Sequence, residues 1–196
     1  SGVDFSFSLE LSTRMSPVLQ GEKGFSRKSD QRAASHYYSQ PFYSVQGWVV
    51  LNGKQHVVEG IGWLDREWSS NLLNENQLGW DWFSLHLDNG AKVMLFKVRH
   101  INGDDFLSGS WINKDGTKKS LSSTDFQLKE TSYSIINGRK IPTKWKIVVL
   151  DGNPLTINTE AVNTNSWMET SFPYWEGPIS FSGDLSGVGY LEMTGY

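Results

Sequence analysis

The stretch GWLDREWSS, Gly62 to Ser70, sets two carboxyls and an arginine between two tryptophans: Asp65, Arg66 and Glu67 lie between Trp63 and Trp68. On a strand, alternate side chains share a face. Trp63, Asp65 and Glu67 then point one way, and Leu64, Arg66 and Trp68 the other. Two arrangements are open. If the acids face water, they form a solvated pair balanced by Arg66 or a cross-strand lysine. If they face an aromatic interior, Asp65 is desolvated and its pKa rises. A carboxyl that keeps its proton near neutral pH can act as a general acid. Surrounding rings would attract a developing carbocation, by about 2 kcal/mol per desolvated contact.

Two further clusters hold candidate groups. In SHYYSQP, Ser35 to Pro41, His36 and Tyr38 share a face if the segment is a strand, with Tyr37 on the other. This is either a strand entry with core tyrosines or a hydrogen-bonding wall with an imidazole to orient an acid. In FPYWEGP, Trp175 stands beside Glu176, which reads first as a strand start after Pro173. The basic run RKSDQR, from Arg27, reads as a solvated loop, too short for phosphate or nucleic acid. No GxSxG, P-loop or GxGxxG occurs, so a serine-hydrolase or nucleotide reading has nothing to rest on.

Composition narrows the classes. The net charge of −3 offers nothing to a nucleic acid or an anionic membrane. No apolar run approaches the ~20 residues that span a bilayer. The chain has no cysteine, which removes disulfides, thiol catalysis and thiolate metal sites. Its 4 histidines show no metal-ligand spacing, so neither metal nor cofactor is expected. Aromatics are the outlier, with 9 tryptophans. They fill a large β core or line a cavity for an apolar ligand.

These side chains need strands to position them. Asn-Gly and Asp-Gly pairs recur at Asn52, Asn89, Asn102, Asp115, Asn137 and Asp151. Such pairs tolerate the positive φ of hairpin turns. Alternating aromatic and β-branched runs lie between them, spaced by roughly 10–14 residues, which predicts an antiparallel meander of about eight or more strands. Closing into a barrel would remove its edges. In GWDWFSLHLDNG, Trp80, Trp82, Ser84 and His86 share one face, and Asp81, Phe83, Leu85 and Leu87 the other. Neither face is cleanly polar, which suits a barrel with a packed outside and a partly polar lumen. Gly21 to Tyr38 reads as a long loop entering a strand near His36. Ser69 to Leu78 reads as a short helix or looped crossover, with Ser70 as a possible N-cap. No linker divides residues 1–196, so a single domain is expected.

The blocks QGEKGFSRKSDQRAASHYYSQP, GIGWLDREWSSNLL, LGWDWFSLHLDNGAKVMLFKVR and GYLEMTGY resemble the second half of the AttH/CrtC-like family, over about Gln20 to Tyr196. That family includes carotenoid 1,2-hydratases, AttH-type secreted proteins, and fungal hydratases and pericyclases. The resemblance implies an all-β, antiparallel, lipocalin-like (calycin-type) up-and-down barrel. It implies two consecutive lipocalin-like domains with an apolar pocket near their junction, this chain being the C-terminal one and SGVDFSFSLEL a linker strand. Its partner would be its own N-terminal domain, and its location extracytoplasmic, periplasmic or secreted. The hydratase pattern, an aspartate two residues after an aromatic and a histidine two before one, falls on Asp65 with Trp63 and on His36 with Tyr38. The ring identities are reversed here, which bears on the substrate more than on the acid. The AttH branch, with its D-x-EW block, is the closer match.

The expectation is therefore a domain that binds a small hydrophobic, isoprenoid-like molecule and hydrates an alkene. Asp65 and His36 would be the catalytic pair, with Tyr38, Trp63, Glu67, Trp80 and Trp82 around the ligand. A non-catalytic carrier with the same cavity, or a half-domain whose aromatic face packs on a missing partner, would share these features.

Overall fold

The computed structural model describes residues 5–28, 34–69, 73–150 and 154–196. These form two antiparallel sheets. The smaller contains β1 (Phe5–Ser12), β2 (Val18–Leu19), β3 (Phe25–Arg27), β4 (Ala34–Leu51) and β5 (Lys54–Trp68). The larger contains β6 (Gln77–Leu87), β7 (Lys92–His100), β8 (Phe106–Ile112), β9 (Lys118–Ser122), β10 (Phe126–Ile136), β11 (Arg139–Val149), β12 (Leu155–Ala161), β13 (Trp167–Met168), β14 (Tyr174–Gly183) and β15 (Gly187–Thr194). Its path runs β10-β11-β12-β14-β15-β6-β7-β8-β9, with β13 beside β14. The sheet curls into a half-barrel.

Turn chemistry is where the sequence placed it. Asn52 and Gly53 sit at φ 50° and 75°, and Asn137 and Gly138 at φ 49° and 77°. Both central residues of a type I′ turn require positive φ, and these two hairpins join β4 to β5 and β10 to β11. Among the described residues there is no helix, and so none long and apolar enough to cross a membrane. Residues 73–76 are loop and turn, while the Ser70 N-cap expectation lies outside the described residues. The polar run after Gly21 is not loop throughout, because Phe25–Arg27 pairs with Ala34–His36 as β3.

Why neither face of β6 reads as polar is now plain. Its inner face, Phe83, Leu85 and Leu87, joins the half-barrel core with Trp145, Trp175 and Leu191. Its outer face is covered by β4 and β5: Trp82 and Trp80 pack with Tyr37 and Trp63. The outside of the curled sheet is thus packed by the chain's own second sheet. Its interior is apolar over most of its extent and charged at one end, where Asp81, Lys97, Arg99 and Glu130 gather, in keeping with the partly polar lumen that the strand faces suggested.

One buried charge cluster stands at an end of that interior. Asp81 is fully buried. Tyr196 donates its hydroxyl to Asp81 Oδ1 at 2.8 Å, and Arg99 Nε lies 3.3 Å from Oδ2 without making a hydrogen bond. Burial outweighs the Arg99 charge and pushes the Asp81 pKa up to about 6 from 3.8. The folded chain therefore holds this proton more tightly than the unfolded chain. That contribution to stability is full below about pH 4 and lost as pH rises through about 6, on the order of 3 kcal/mol in all. Asp81→Asn mimics the protonated form and still accepts from Tyr196. Arg99 keeps the Thr194 and Gly195 carbonyls and its place 3.9 Å over the Tyr196 ring. The variant should melt above wild type at pH 8 and level with it near pH 4.5. Thermal unfolding at the two pH values checks this.

Candidate active site between the two sheets

A cavity of about 340 Å³ lies between the inner face of the β4–β5 ribbon and the outer face of β6, β7 and β15. Asp65, Glu67, Tyr37, Lys28 and Ser69 line it from the small-sheet side. Trp80, Trp82, Phe96, Val98 and Glu192 line it from the large sheet, with Leu73 and Gln77 at the crossover. The volume sits at the low end of the range for small-molecule sites, enough for a small lipophile or one end of a longer one.

Register explains who faces in. Ser39 pairs with Asp65 and Tyr37 with Glu67, so Ser35, Tyr37 and Ser39 share the face of Asp65 and Glu67. His36 pairs with Trp68 and Tyr38 with Arg66, on the opposite face. A one-residue bulge follows between Gln40 and Tyr43, where Pro41 has no amide proton to give the ladder. It switches which alternate residues of β4 face inward.

Asp65 is held by a buried chain of donors. Ser110 donates to Gln20 Oε1 at 2.6 Å, Gln20 Nε2 donates to Ser39 Oγ at 2.8 Å, and Ser39 donates to Asp65 Oδ1. Gln20 and Ser39 are fully buried and Ser110 nearly so. Each hydroxyl and amide has its direction fixed by the next, and removing one member would orphan its neighbours at about 1–3 kcal/mol each. Desolvation raises the Asp65 pKa, while the hydrogen bond from Ser39 works against it. Tyr37, whose oxygen accepts from Trp82 Nε1 at 3.1 Å, has its own pKa raised well above the phenol value by burial.

Among the described residues that line the cavity, Lys28 is the cation. Its ammonium forms an ion pair with Glu67 and lies 4.2 Å from the centre of the Phe96 ring and 5.0 Å from that of Tyr37. Burial lowers its pKa, with Glu67 opposing. The cavity rings thus already hold one positive charge, which Glu67 neutralises. Ser35 also donates to Glu67. Lys28 belongs to the run that reads as a solvated loop; here its side chain is largely withdrawn from solvent.

The expected site residues divide as follows. Asp65, Glu67, Trp80 and Trp82 line one cavity. Trp63 packs edge-on against Trp82, with ring centres 6.4 Å apart, and against His86 at 5.6 Å. His36 and Tyr38 are not brought to Asp65. His36 is exposed and meets the edge of Phe25, and Tyr38 packs on Trp68 at 5.9 Å. The imidazole beside the aromatic cluster is His86, whose pKa burial and the nearby Lys92 lower to about 4, so it is neutral. Spacing missed Tyr37, Lys28, Gln20 and Glu192. Glu192 did leave a signal, as a single acid in the otherwise uncharged run GYLEMTGY.

A curled antiparallel sheet covered by a long β-hairpin, with an aromatic cavity between them, is a lipocalin-like architecture. The chain belongs to the AttH-like family, whose profile matches residues 1–196. It is similar to the crystal structure of an AttH protein from Nitrosomonas europaea, at 29% identity and a TM-score of 0.91, over 100% of this chain and 63% of that one. Kievitone hydratase from Nectria haematococca shares the fold, with a TM-score of 0.79 at 15% identity, over 99% of this chain and 62% of that one. The chain thus spans less than two thirds of either protein's length. No curated protein matches it significantly.

Proposed function

We propose that this chain is the lipocalin-like part of an enzyme that binds a small, alkene-bearing lipophile and adds water to it, with Asp65 as proton donor. The observation that carries this reading is a largely buried carboxyl in an aromatic cavity, held by the Ser39 hydroxyl, while the cavity's lysine pairs with Glu67. The Asp65 O–H proton goes to one alkene carbon, and the π pair becomes the new C–H bond. The cation left at the more substituted carbon is attracted by the rings of Trp80 and Trp82, since Phe96 and Tyr37 already carry Lys28. A water oxygen closes on it to form C–O and releases a proton. The likeness to a kievitone hydratase supports a hydratase-like role at the level of fold. The test is the intact protein with geraniol, farnesol and a prenylated phenol in water labelled with heavy oxygen. Label in an alcohol product supports the reading, and none from any of the three rejects it.

A second part of this reading concerns the β1 surface. Phe5, Phe7, Leu9 and Leu11 all lie on one face of β1 and are exposed, with Ser6, Ser8, Glu10 and Ser12 on the other. Val45, Val49 and Leu51 of β4 continue that face. Isolated apolar residues at a surface are ordinary, but a contiguous sheet face of this kind marks an interface. Given the greater length of the relatives, its occupant is a further domain of the same protein. The 196-residue chain alone should then self-associate on sizing chromatography and bind a hydrophobic dye, and the longer protein should do neither. A monomer that leaves the dye unbound would count against this assignment.

A further inference from the structure

The cavity has two walls, and each carries a largely buried carboxyl held by a neutral donor. Asp65 reaches in from β5. Glu192 reaches in from β15, where it pairs with Trp82 in the register. The Trp80 indole N–H donates to Glu192 Oε1 at 2.7 Å. Lys28 is committed to Glu67. Directly across from Glu192 on β14 stands Glu176, whose negative charge Tyr174 and Tyr190 both sense. Tyr190 is 37% exposed, so this group runs from the edge of the cavity to the surface.

We propose that Glu192 is the general base of the hydration in which Asp65 is the acid, holding the attacking water on the wall opposite the proton donor. This rests on the reading of Asp65 given above. An alkene lying between the sheets receives its proton from the β5 side and its oxygen from the β15 side. As the water oxygen bonds to the cationic carbon, one water proton passes to the Glu192 carboxylate. That proton then leaves by way of Glu176 to solvent, and Asp65 is reprotonated from water, so no other reactant is consumed. The addition is anti, because acid and base stand on opposite sheets. Inverting glycosidases use the same division of labour, one carboxyl giving a proton while a second, with room for water, activates the nucleophile. Burial, with the negative charges of Glu176, Asp65 and Glu67, raises the Glu192 pKa, which makes its carboxylate a better proton acceptor than an exposed one. Two carboxyls that sense each other share protons as a pair, and the hydration proposed uses the state with one proton, on Asp65.

Glu192→Gln keeps the size of the side chain and an oxygen to accept from Trp80. The experiment uses the intact protein with geraniol, farnesol and a prenylated phenol, in deuterium oxide and in heavy-oxygen water, for wild type, Glu192→Gln, Glu192→Asp and Asp65→Asn. Glu192→Gln should lose heavy-oxygen incorporation by roughly 100-fold or more. It should still exchange deuterium into the alkene, because Asp65 protonates and deprotonates it reversibly. Asp65→Asn should lose both labels. Glu192→Asp, which restores a carboxylate on that wall, should recover part of the heavy-oxygen turnover. Unchanged turnover in Glu192→Gln, with Asp65→Asn inactive, overturns the role of Glu192 and leaves Asp65 standing. Equal impairment in Glu192→Gln and Glu192→Asp also overturns it, since the carboxylate is then not what matters. If wild type incorporates neither label, or Asp65→Asn keeps both, the acid reading falls and the base assignment with it.

Discussion

Asp65→Asn should lower alkene hydration by about 100- to 10,000-fold while leaving ligand binding near wild type. The substitution removes the transferable proton and little else. Asparagine Oδ1 still accepts from Ser39, so the chain from Ser110 through Gln20 stays satisfied. Because burial raises the folded-state pKa of Asp65, its ionisation costs stability once pH exceeds the unfolded value. The variant, which cannot ionise there, should be at least as stable as wild type at pH 8. The same shift sets the pH dependence of wild type: the proton-bearing form prevails below the raised pKa, and the rate falls as pH climbs past it. Binding can be followed by tryptophan fluorescence, since Trp80 and Trp82 line the cavity. Full turnover in the variant would remove Asp65 from the chemistry. Binding without product in wild type and variant alike would make the chain a carrier.

How far the sequence reached depends on which physical rule was local. Asn52-Gly53 and Asn137-Gly138 need only their own φ values to make a turn, and those hairpins were legible. The alternation within β5 is also local, so Trp63, Asp65 and Glu67 were correctly grouped on one face. Which residues of β4 stand across from them is not local. It depends on register, and register depends on the bulge at Gln40 to Tyr43, which Pro41 hints at but does not fix. A one-residue slip exchanges every inward residue for its neighbour, and Tyr37 rather than His36 therefore faces Asp65. Long-range placement hid the rest. Lys28 lies in a run that reads as solvated and Gln20 just before a segment that reads as loop, and only tertiary packing brings Lys28 to Glu67 of β5 and Gln20 to Ser39 of β4. The mixed faces of β6 were visible as a pattern. Their cause was not, because the cover is supplied by strands earlier in the same chain, Trp63 of β5 and the more distant Tyr37 of β4, whose separation from Trp82 is 45 residues.

Trp145→Ala should cost about 3–5 kcal/mol of stability, the largest structural effect expected for a single substitution here. Trp145 is fully buried on β11, paired with Glu130 of β10 and Thr159 of β12. Its ring meets Phe83 edge-on, with centres 5.3 Å apart at 84°, and such a pair adds about 0.5–1.5 kcal/mol beyond area burial. Its indole N–H donates to the Pro142 carbonyl at 3.4 Å. The hole left by alanine is walled by hydrogen-bonded strands, which cannot close on it as flexible side chains would, so the cost belongs in the upper half of the range. Val57→Ala, at a side chain 84% exposed, should change stability by less than about 0.5 kcal/mol and serves as the control. Urea unfolding measures both, and a lower midpoint at unchanged slope identifies a loss of stability alone. The effect should also reach the site. Phe83, which loses its partner, lies beside Trp82 in β6, and the two side chains face opposite ways, into the core and into the cavity. Loosening the inner face of that strand loosens the wall from which Trp80 and Trp82 project. Ligand affinity should therefore fall in Trp145→Ala and recover in Trp145→Phe, whose ring still meets Phe83. Affinity unchanged in the face of a large stability loss would mean that β4 and β5 hold the cavity in shape without the core beneath it.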